Sequence, residues 1–280
     1  MNAREHNRWV SPAVLAVLII IGVAFLAPFA WMISTSLKPL NETMTLPPHW
    51  LPSHPQWRNY PDAIAGMGDF WRYAANTLYL CVLCVIGTVA SSALAAYGFS
   101  RIEWKGRDQL FLVLLGTMMI PFPVIMVPIF TLFRNLGWIG SFKPIWVPAF
   151  FAGAFNVFLL RQFFFGLPRD ISEAARIDGC SEFQIFMWVV LPLCRPALLV
   201  VALFQFMFTW NDFLGPLIYL TRQDHFTLAL GLQSFQSQNG GTEWHFLMAA
   251  STLVVLPVLI LFFFTQRSFI EGIAVTGGKN

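Results

Sequence analysis

The residues with the most distinctive spacing lie between Leu167 and Pro192, where an acid, two alanines and a glycine follow one another. Glu173 precedes Ala174 and Ala175, and Gly179 comes four residues after the second alanine. Small side chains leave a shallow surface that another protein can approach closely, and the carboxylate beside them offers an ionic contact. The spacing favours a docking site. The alternative is a structural re-entry toward the membrane, with Glu173 capping its own helix.

Capping signals predict that this segment forms two short helices. Asp170 is expected to cap the first, with Glu173 in capping-box spacing, and Gly179 supplies the left-handed residue that ends it. Ser181 and Gln184 form a second capping box. Apolar residues then recur at helical spacing, which predicts one apolar face that ends at the following prolines. They are Phe183, Phe186, Met187 and Val190.

Other chemical patterns in the sequence lack the spacing they need. Cys81 and Cys84 have CxxC spacing inside an apolar run, which favours buried apolar residues over a redox or metal pair. The chain has no GxxxxGK[ST] phosphate-binding loop, no HExxH and no GxSxG. We therefore expect no catalytic residue, no metal ligand and no cofactor site in this chain.

The composition places these segments in a lipid bilayer. The 280 residues are 57% apolar and 11% charged, whereas soluble domains carry about 25% charged residues. The net charge of +3 is too small to indicate nucleic-acid binding. We expect a membrane protein in contact with lipid.

Long uncharged stretches predict an all-α fold with six transmembrane helices, because a bilayer core of about 30 Å needs about 20 helical residues. The runs are continuously apolar, which argues against a β-barrel. The first run is longer than a signal peptide's and is interpreted as an uncleaved anchor. The predicted spans are residues 10–36, 74–100, 110–133, 144–165, 196–221 and 246–265.

The basic residues predict the orientation of these spans. Eleven of the 17 Lys and Arg residues lie in the terminal segments 1–9 and 266–280, in the loops after the second and fourth spans or, for Arg161, near the end of the fourth span. Basic residues concentrate on the cytoplasmic side of membranes. Both termini and the segment around Glu173 are therefore predicted to be cytoplasmic.

Polar residues within the spans are candidates for a translocation path. Asp212 is the one acid placed inside a span, where a charge costs about 3 kcal/mol, so it is expected to face the bundle or an outer vestibule. It is interpreted either as a solute contact or gate, or as the cap of a helix break before Pro216. The other candidates are Asn76, Asn156, Gln205, Trp210 and Asn211.

The segment around Glu173 also resembles the signature loop of permease subunits in bacterial ABC importers. Its pattern is Glu-Ala-Ala, three residues, Gly, nine residues, an aliphatic residue, one residue and Leu-Pro, with Val189 in place of the usual isoleucine. Most of residues 10–280 is similar to the carbohydrate branch, in particular to the six-helix second permease of the maltose-type family. The stretches that carry this similarity are Asn76–Leu78, Ala95–Arg101, Met118–Pro121, Leu160–Phe164, Trp210–Leu217 and Gln266–Ile273.

The resemblance implies a non-catalytic permease of a binding-protein-dependent sugar importer in the bacterial cytoplasmic (inner) membrane. Its implied partners are a second permease in a heterodimer, a periplasmic or lipid-anchored binding protein, and a dimer of ATPase subunits that binds ATP and magnesium. Residues 168–192 would be the coupling loop. Glu173 would pair with an ATPase arginine, and the residues that would seat the loop in the ATPase cleft are Ala174, Ala175, Asp178 and Gly179.

Two further expectations follow from the resemblance. The outer loop would insert a flexible, amide-rich tip into the binding protein, unless it is a plain solvated loop. The residues of this tip are Gln233, Gln236, Gln238, Asn239 and Gly240. The tail, residues 266–280, would reach the ATPase interface, or it is a solvated end.

Other functions fit the residues less well. An ion-coupled secondary transporter needs proton or ion relays within the membrane, but the five histidines map to loops or ends and only Asp212 is embedded. A membrane enzyme would need a catalytic acid and base, for which no pair of spans supplies residues. Glycerol phosphates or polyols remain alternative substrates, because the binding protein selects the solute.

Overall fold

The structure is a computed structural model that describes residues 12–236 and 241–277. Helices make up its regular structure and no strand occurs in those two ranges, which confirms the all-α prediction. The helices are α1 (Pro12–Ser36), α2 (Asn59–Gly66), α3 (Phe70–Ser100), α4 (Arg107–Thr117), α5 (Phe122–Asn135), α6 (Lys143–Trp146), α7 (Ala154–Gly166), α8 (Arg169–Ile177), α9 (Glu182–Gln184), α10 (Leu191–Leu193), α11 (Arg195–Trp210), α12 (Leu214–Tyr219), α13 (Leu228–Gly231) and α14 (Trp244–Gly277). A π-helical segment, Ile185–Val190, joins α9 to α10, and short 3-10 helices occupy Leu40–Glu42, Val147–Phe151, Gln223–His225 and Leu232–Phe235.

Among the described residues, four helical stretches are long and apolar enough to cross a membrane. They are Val14–Ser36, Phe70–Ser100, Lys143–Gly166 and Trp244–Gln266. Two bent pairs raise the number to six if each is one span: α4 with α5, at 96°, and Glu182–Leu193 with α11, at 80°. The predicted number of six is therefore reached only with broken spans.

Three predicted spans depart from continuous helices. The span at 110–133 breaks after Thr117 and resumes after Pro121, because proline has no N–H to donate along the helix. The span at 144–165 contains a 3-10 stretch, and Ala152 adopts a positive φ of 53° before α7 begins. The span at 196–221 ends its main helix at Trp210, whereas α14 continues beyond residue 265 to Gly277.

The chain divides into two compact units. One lies within Met1–Gly68 and Leu232–Pro257, and the other within Asp69–Gly231 and Val258–Asn280. In the first unit, the Asn59 amide donates to the carbonyls of Ser36 and Lys38, both at 2.9 Å. These bonds hold the start of α2 against the end of α1 and the residues that follow it.

The core of the second unit forms where α3 packs against α7 and α11. Its buried residues are Ala93, Ala96, Tyr97, Phe111, Val157, Leu160, Phe164, Ile185, Phe186, Val190, Cys194, Ala197 and Val201. Three of them, Ile185, Phe186 and Val190, belong to the coupling loop. The loop is therefore part of the core that holds α3.

The four cysteines are free thiols. Cys81, Cys84 and Cys194 are buried and Cys180 is half-buried. The apolar run around Cys81 and Cys84 predicts this burial. No group of three or more His, Cys, Asp or Glu side chains that could hold a metal ion occurs in the described parts of the chain.

Candidate functional site

The first helix of the coupling loop, α8, ends in a Schellman turn. Gly179 has a φ of +86°, as the sequence predicts. The Cys180 N–H donates to the Ala175 carbonyl and the Gly179 N–H to the Arg176 carbonyl, both at 3.0 Å. A Cβ at Gly179 would meet no atom within 4 Å, so the backbone conformation, not space, requires glycine here.

The two predicted capping boxes have opposite outcomes. The Ser181 box is confirmed: the Gln184 N–H donates to Ser181 Oγ at 3.4 Å, and the Ser181 N–H donates to Gln184 Oε1 at 2.8 Å. The Asp170 cap is wrong, because α8 begins at Arg169 and its N-cap is Pro168, which has no side-chain acceptor. Asp170 lies in the first turn, where the helix dipole favours a carboxylate.

The π-helical segment changes which apolar side chains are buried. Ile185, Phe186 and Val190 are at most 4% exposed, whereas Phe183 and Met187 are 65% and 41% exposed. In a π-helix the backbone hydrogen bonds join residues five positions apart, which brings Ile185 and Val190 to one side. Of the residues of the predicted apolar face, Phe186 and Val190 are therefore buried in the core, and Phe183 and Met187 are exposed.

The residues that match the permease signature are mostly exposed. Glu173, Ala174, Asp178 and Gly179 face outward, and Ala175 is half-buried against the core. The arrangement presents a carboxylate next to small side chains on one accessible surface. Their role in docking an ATPase stays a prediction.

A carboxylate that sequence reasoning missed ties this loop to α3. Glu182 accepts a hydrogen bond from the Tyr97 hydroxyl at 2.7 Å and one from Arg176 Nε at 2.6 Å. The hydrogen bond from Arg176 holds the pKa of Glu182 below its usual value. The only sequence signal is that Tyr97 falls in one of the stretches similar to the permease family.

Two arginines bind the neighbouring helix ends together. The Arg101 guanidinium at the end of α3 donates to the carbonyls of Phe164 and Leu167 at the end of α7, with the Leu167 bond at 2.7 Å. Arg161 donates to the Phe99 carbonyl at 3.1 Å and pairs with Asp108 at 3.2 Å. Positive charge at the last carbonyls of a helix is favourable. The entry to the coupling loop is thereby fixed.

The structure brings two of the path candidates to one cavity. Asp212 and Gln205 line a cavity of about 820 Å³ whose other walls are largely apolar, Trp138 and Phe208 among them. Asp212 Oδ1 accepts the Gly215 N–H at 3.0 Å, and Gln205 donates to Thr209 Oγ1 at 2.9 Å. Asp212 therefore provides the side-chain acceptor at the break before α12.

Asn211 and Trp210 are candidates of different kinds. Asn211 is exposed and donates to the Met207 carbonyl at 2.7 Å, one turn back in its own helix. Trp210 is buried, and its ring stacks on that of Phe206 with centroids 5.3 Å apart. Neither residue is among those that line the cavity.

Asn76 lies at a backbone junction. Its amide donates to the carbonyls of Asp224 and Phe226 at 2.9 and 3.0 Å. The neighbouring Thr77 accepts the Leu228 N–H at 2.9 Å. The start of α3 therefore holds the stretch that follows α12.

The remaining candidates are spread over other parts of the chain. Asn156 is half-buried in α7 and is not among the residues that line the cavity. In the outer loop, Gln233 and Gln236 are exposed, and the Gln236 N–H donates to the Gln233 carbonyl at 3.0 Å. Gln238, Asn239 and Gly240 lie outside the described residues.

Comparison with known proteins gives concordant matches. Residues 87–274 match the family model described as "Binding-protein-dependent transport system inner membrane component". The arabinooligosaccharides transport system permease protein AraQ of Halalkalibacterium halodurans is 35% identical over 280 residues, covering 98% of this chain and 99% of AraQ. The trehalose/maltose transport system permease protein MalG of Thermococcus litoralis is 30% identical over 264 residues, covering 92% of this chain and 94% of MalG.

A solved structure has a similar fold. A chain in the crystal structure of a bacterial ABC transporter that imports the acidic polysaccharide alginate superposes with a TM-score of 0.79 at 24% identity. The superposition covers 91% of this chain and 95% of that one. At this identity the likeness concerns the fold alone.

Proposed function

The chain belongs to the family of binding-protein-dependent transport system inner membrane components, and from that membership we propose that it is a permease subunit of an ATP-driven oligosaccharide importer. It is a multi-pass membrane protein of a class whose members are generally non-catalytic. The names of its relatives support the substrate class, since they transport arabinooligosaccharides, diacetylchitobiose, or trehalose and maltose. Glycerol phosphates and polyols do not occur among these names.

One observation carries the proposal: the signature residues of α8 are exposed while the loop around them is anchored in the core. Glu173 and Ala174 face outward, whereas Ile185 and Val190 are fully buried. A partner bound to α8 would therefore move a segment that is anchored in the core, and not a free loop. An ATPase arginine is the expected partner of Glu173.

The energy for transport enters from separate ATPase subunits, because the sequence contains no phosphate-binding loop. In the proposed cycle, ATP and magnesium bind to an ATPase dimer, and its closure displaces α8. The displacement switches the access of the pore from one side to the other. A second permease completes the pore, a binding protein delivers the sugar from outside, and both termini lie in the cytoplasm, as the basic residues favour.

We assign the translocation path to the cavity that Gln205 and Asp212 line. Asn76 and Asn211 have amides bound to backbone carbonyls, and Trp210 is packed against Phe206. Those contacts support structural roles for the three. Asn156 and the exposed outer-loop amides stay predictions.

Reconstitution tests the proposal. The chain is co-expressed with a candidate partner permease, ATPase and binding protein from the same organism, purified as a complex and placed in proteoliposomes. Labelled arabino-oligosaccharide, trehalose, maltose and diacetylchitobiose are offered in turn. We expect uptake of one of them that requires ATP and the binding protein. Uptake driven by an ion gradient without ATP would contradict the proposal.

A further inference from the structure

Glu182 connects an exposed helix to a buried one through both of its carboxylate oxygens. Oε1 accepts from Arg176 of α8 at 2.6 Å, and Oε2 accepts from the hydroxyl of Tyr97 of α3 at 2.7 Å. Arg176 and Glu182 have side chains 42% and 44% exposed, whereas Tyr97 is 5% exposed. The chain of contacts thus runs from the accessible surface into the core.

The inner end of this series of contacts is Tyr97, which is packed in the core. The Tyr97 ring packs on the ring of Phe186, with centroids 5.2 Å apart, and both rings belong to the core of the second unit. Hydrogen bonds to an ionised carboxylate are about twice as strong as those between neutral groups. The bond from Tyr97 adds to this packing, whereas the Arg176–Glu182 pair lies at the surface.

The outer end of these contacts spans the turn at Gly179. Gly179 lies between Arg176 and Glu182, and its positive φ is a conformation in which glycine meets no steric resistance. Rotation about the backbone of Gly179 would change the angle between α8 and the helix that follows. The Arg176–Glu182 contact spans the turn and fixes the angle between α8 and the following helix.

We propose that Arg176, Glu182 and Tyr97 form a positioning strut that passes the displacement of α8 to α3. This inference rests on the proposed function, because it concerns how ATPase motion reaches the pore. The strut acts through the Arg176–Glu182 ion pair and the hydrogen bond from Tyr97, and Glu173 itself is not part of it. Its loss lets ATP be hydrolysed without a matching movement of sugar.

The test measures sugar imported per ATP hydrolysed in proteoliposomes that contain the full transporter with its binding protein. Tyr97→Phe removes one hydroxyl at a buried site that no partner can touch, and Glu182→Gln keeps the shape but not the charge. We expect each to lower the ratio by about three-fold, the effect of part of one hydrogen bond. The double variant should lose no more than the stronger single variant, since both break one strut.

Glu103→Gln is the matched control. It removes the charge from the 3.4 Å ion pair between Arg169 of α8 and Glu103, whose side chains are 64% and 78% exposed. We expect the ratio to stay at the wild-type value, because an exposed pair contributes little. A three-fold loss in this control as well would overturn the specific role of Glu182.

Other results would also overturn the inference. An unchanged ratio in Tyr97→Phe and Glu182→Gln would do so, as would additive losses in the double variant. If the variants reduce only the amount of assembled complex, while the remainder keeps the wild-type ratio, the residues are structural and the strut is rejected. Wild-type proteoliposomes that import no sugar with ATP would instead contradict the proposed function.

Discussion

The polar side chains of the coupling loop and those around Asp212 differ in their surroundings and in their hydrogen bonds. In the loop, Glu173 and Asp178 are exposed at the surface. Around the cavity, Asp212 accepts a backbone N–H and Gln205 donates to Thr209 within its own helix. Polar side chains that face water are available to a partner, whereas those in apolar surroundings first bond to nearby groups. Sequence position alone does not separate these two cases.

The prediction with the largest expected effect concerns the exposed residues of the coupling loop. Gly179→Val forces a β-branched residue into a left-handed conformation, which costs at least about 1–2 kcal/mol. We expect sugar-stimulated ATP hydrolysis to be abolished while the protein still inserts into the membrane. ATPase assays with the liganded binding protein measure the first, and membrane fractionation measures the second.

Gly166→Ala is the matched control for Gly179→Val. Gly166 lies in the last turn of α7, and a Cβ there would meet no atom within 4 Å. Alanine is the better helix former by up to about 1 kcal/mol. The control should keep normal stimulation. Normal coupled transport in Gly179→Val would show that the turn is not needed for docking.

The next prediction concerns Asn76, a polar residue whose amide is bonded within the protein. Asn76→Ala leaves the carbonyls of Asp224 and Phe226 without their amide donor at a half-buried site, which costs about 1 kcal/mol. We expect a lower thermal stability of the purified complex with an unchanged KM for sugar. Asn156→Ala removes an amide that is half-buried like that of Asn76, so it is the matched control, and it should have a smaller effect. A raised KM at normal stability would return Asn76 to the translocation path.

Asp212 should show a smaller effect that separates capping from transport. Asp212→Ala removes the acceptor for the Gly215 N–H and costs about 1 kcal/mol of stability. Asp212→Asn keeps an acceptor oxygen, so its stability should match that of the wild type. If Asp212 contacts the sugar as well as capping α12, the asparagine variant raises the KM for uptake. Uptake kinetics and melting curves of both variants distinguish the two roles.

The smallest expected effect concerns the pH response of the coupling loop. The hydrogen bond from Arg176 lowers the pKa of Glu182, so its stabilisation is fully present above the unfolded-state value of about 4.3. It is lost only as the pH falls through the lower folded-state pKa. Hydrogen-exchange protection of the loop amides should stay constant from about pH 8 to 5 and fall below that. Glu182→Gln should lack this acid-induced fall.

The sequence predicts the turns of the coupling loop better than its packing. Gly179 and the Ser181–Gln184 box are decided by residues a few positions apart, so local spacing predicts them correctly. The burial of Ile185 instead of Met187 accompanies a π-helical turn, in which the Phe186 ring packs on Tyr97 of α3. The Tyr97–Glu182 bond joins residues 85 positions apart, and no local pattern encodes it.

In the membrane helices, too, neighbouring residues determine some features and contacts between distant residues determine others. Apolar run length predicts where the chain can cross a bilayer, but not the 96° bend between α4 and α5. Pro121 marks that bend, yet Pro128 lies inside α5 without ending it. Proline alone therefore does not specify a break. The cavity beside Asp212 depends on how α5, α6, α11 and α12 meet, which residue spacing does not encode.

The distribution of thiols makes the chain convenient for site-directed labelling. Cys81, Cys84 and Cys194 are enclosed by protein, and only Cys180 is partly accessible. Replacing Cys180 with serine leaves a background that reacts slowly with water-soluble maleimides. A cysteine introduced at Ala174 or Phe183 would then report, through its modification rate, whether that surface is covered in each step of the transport cycle.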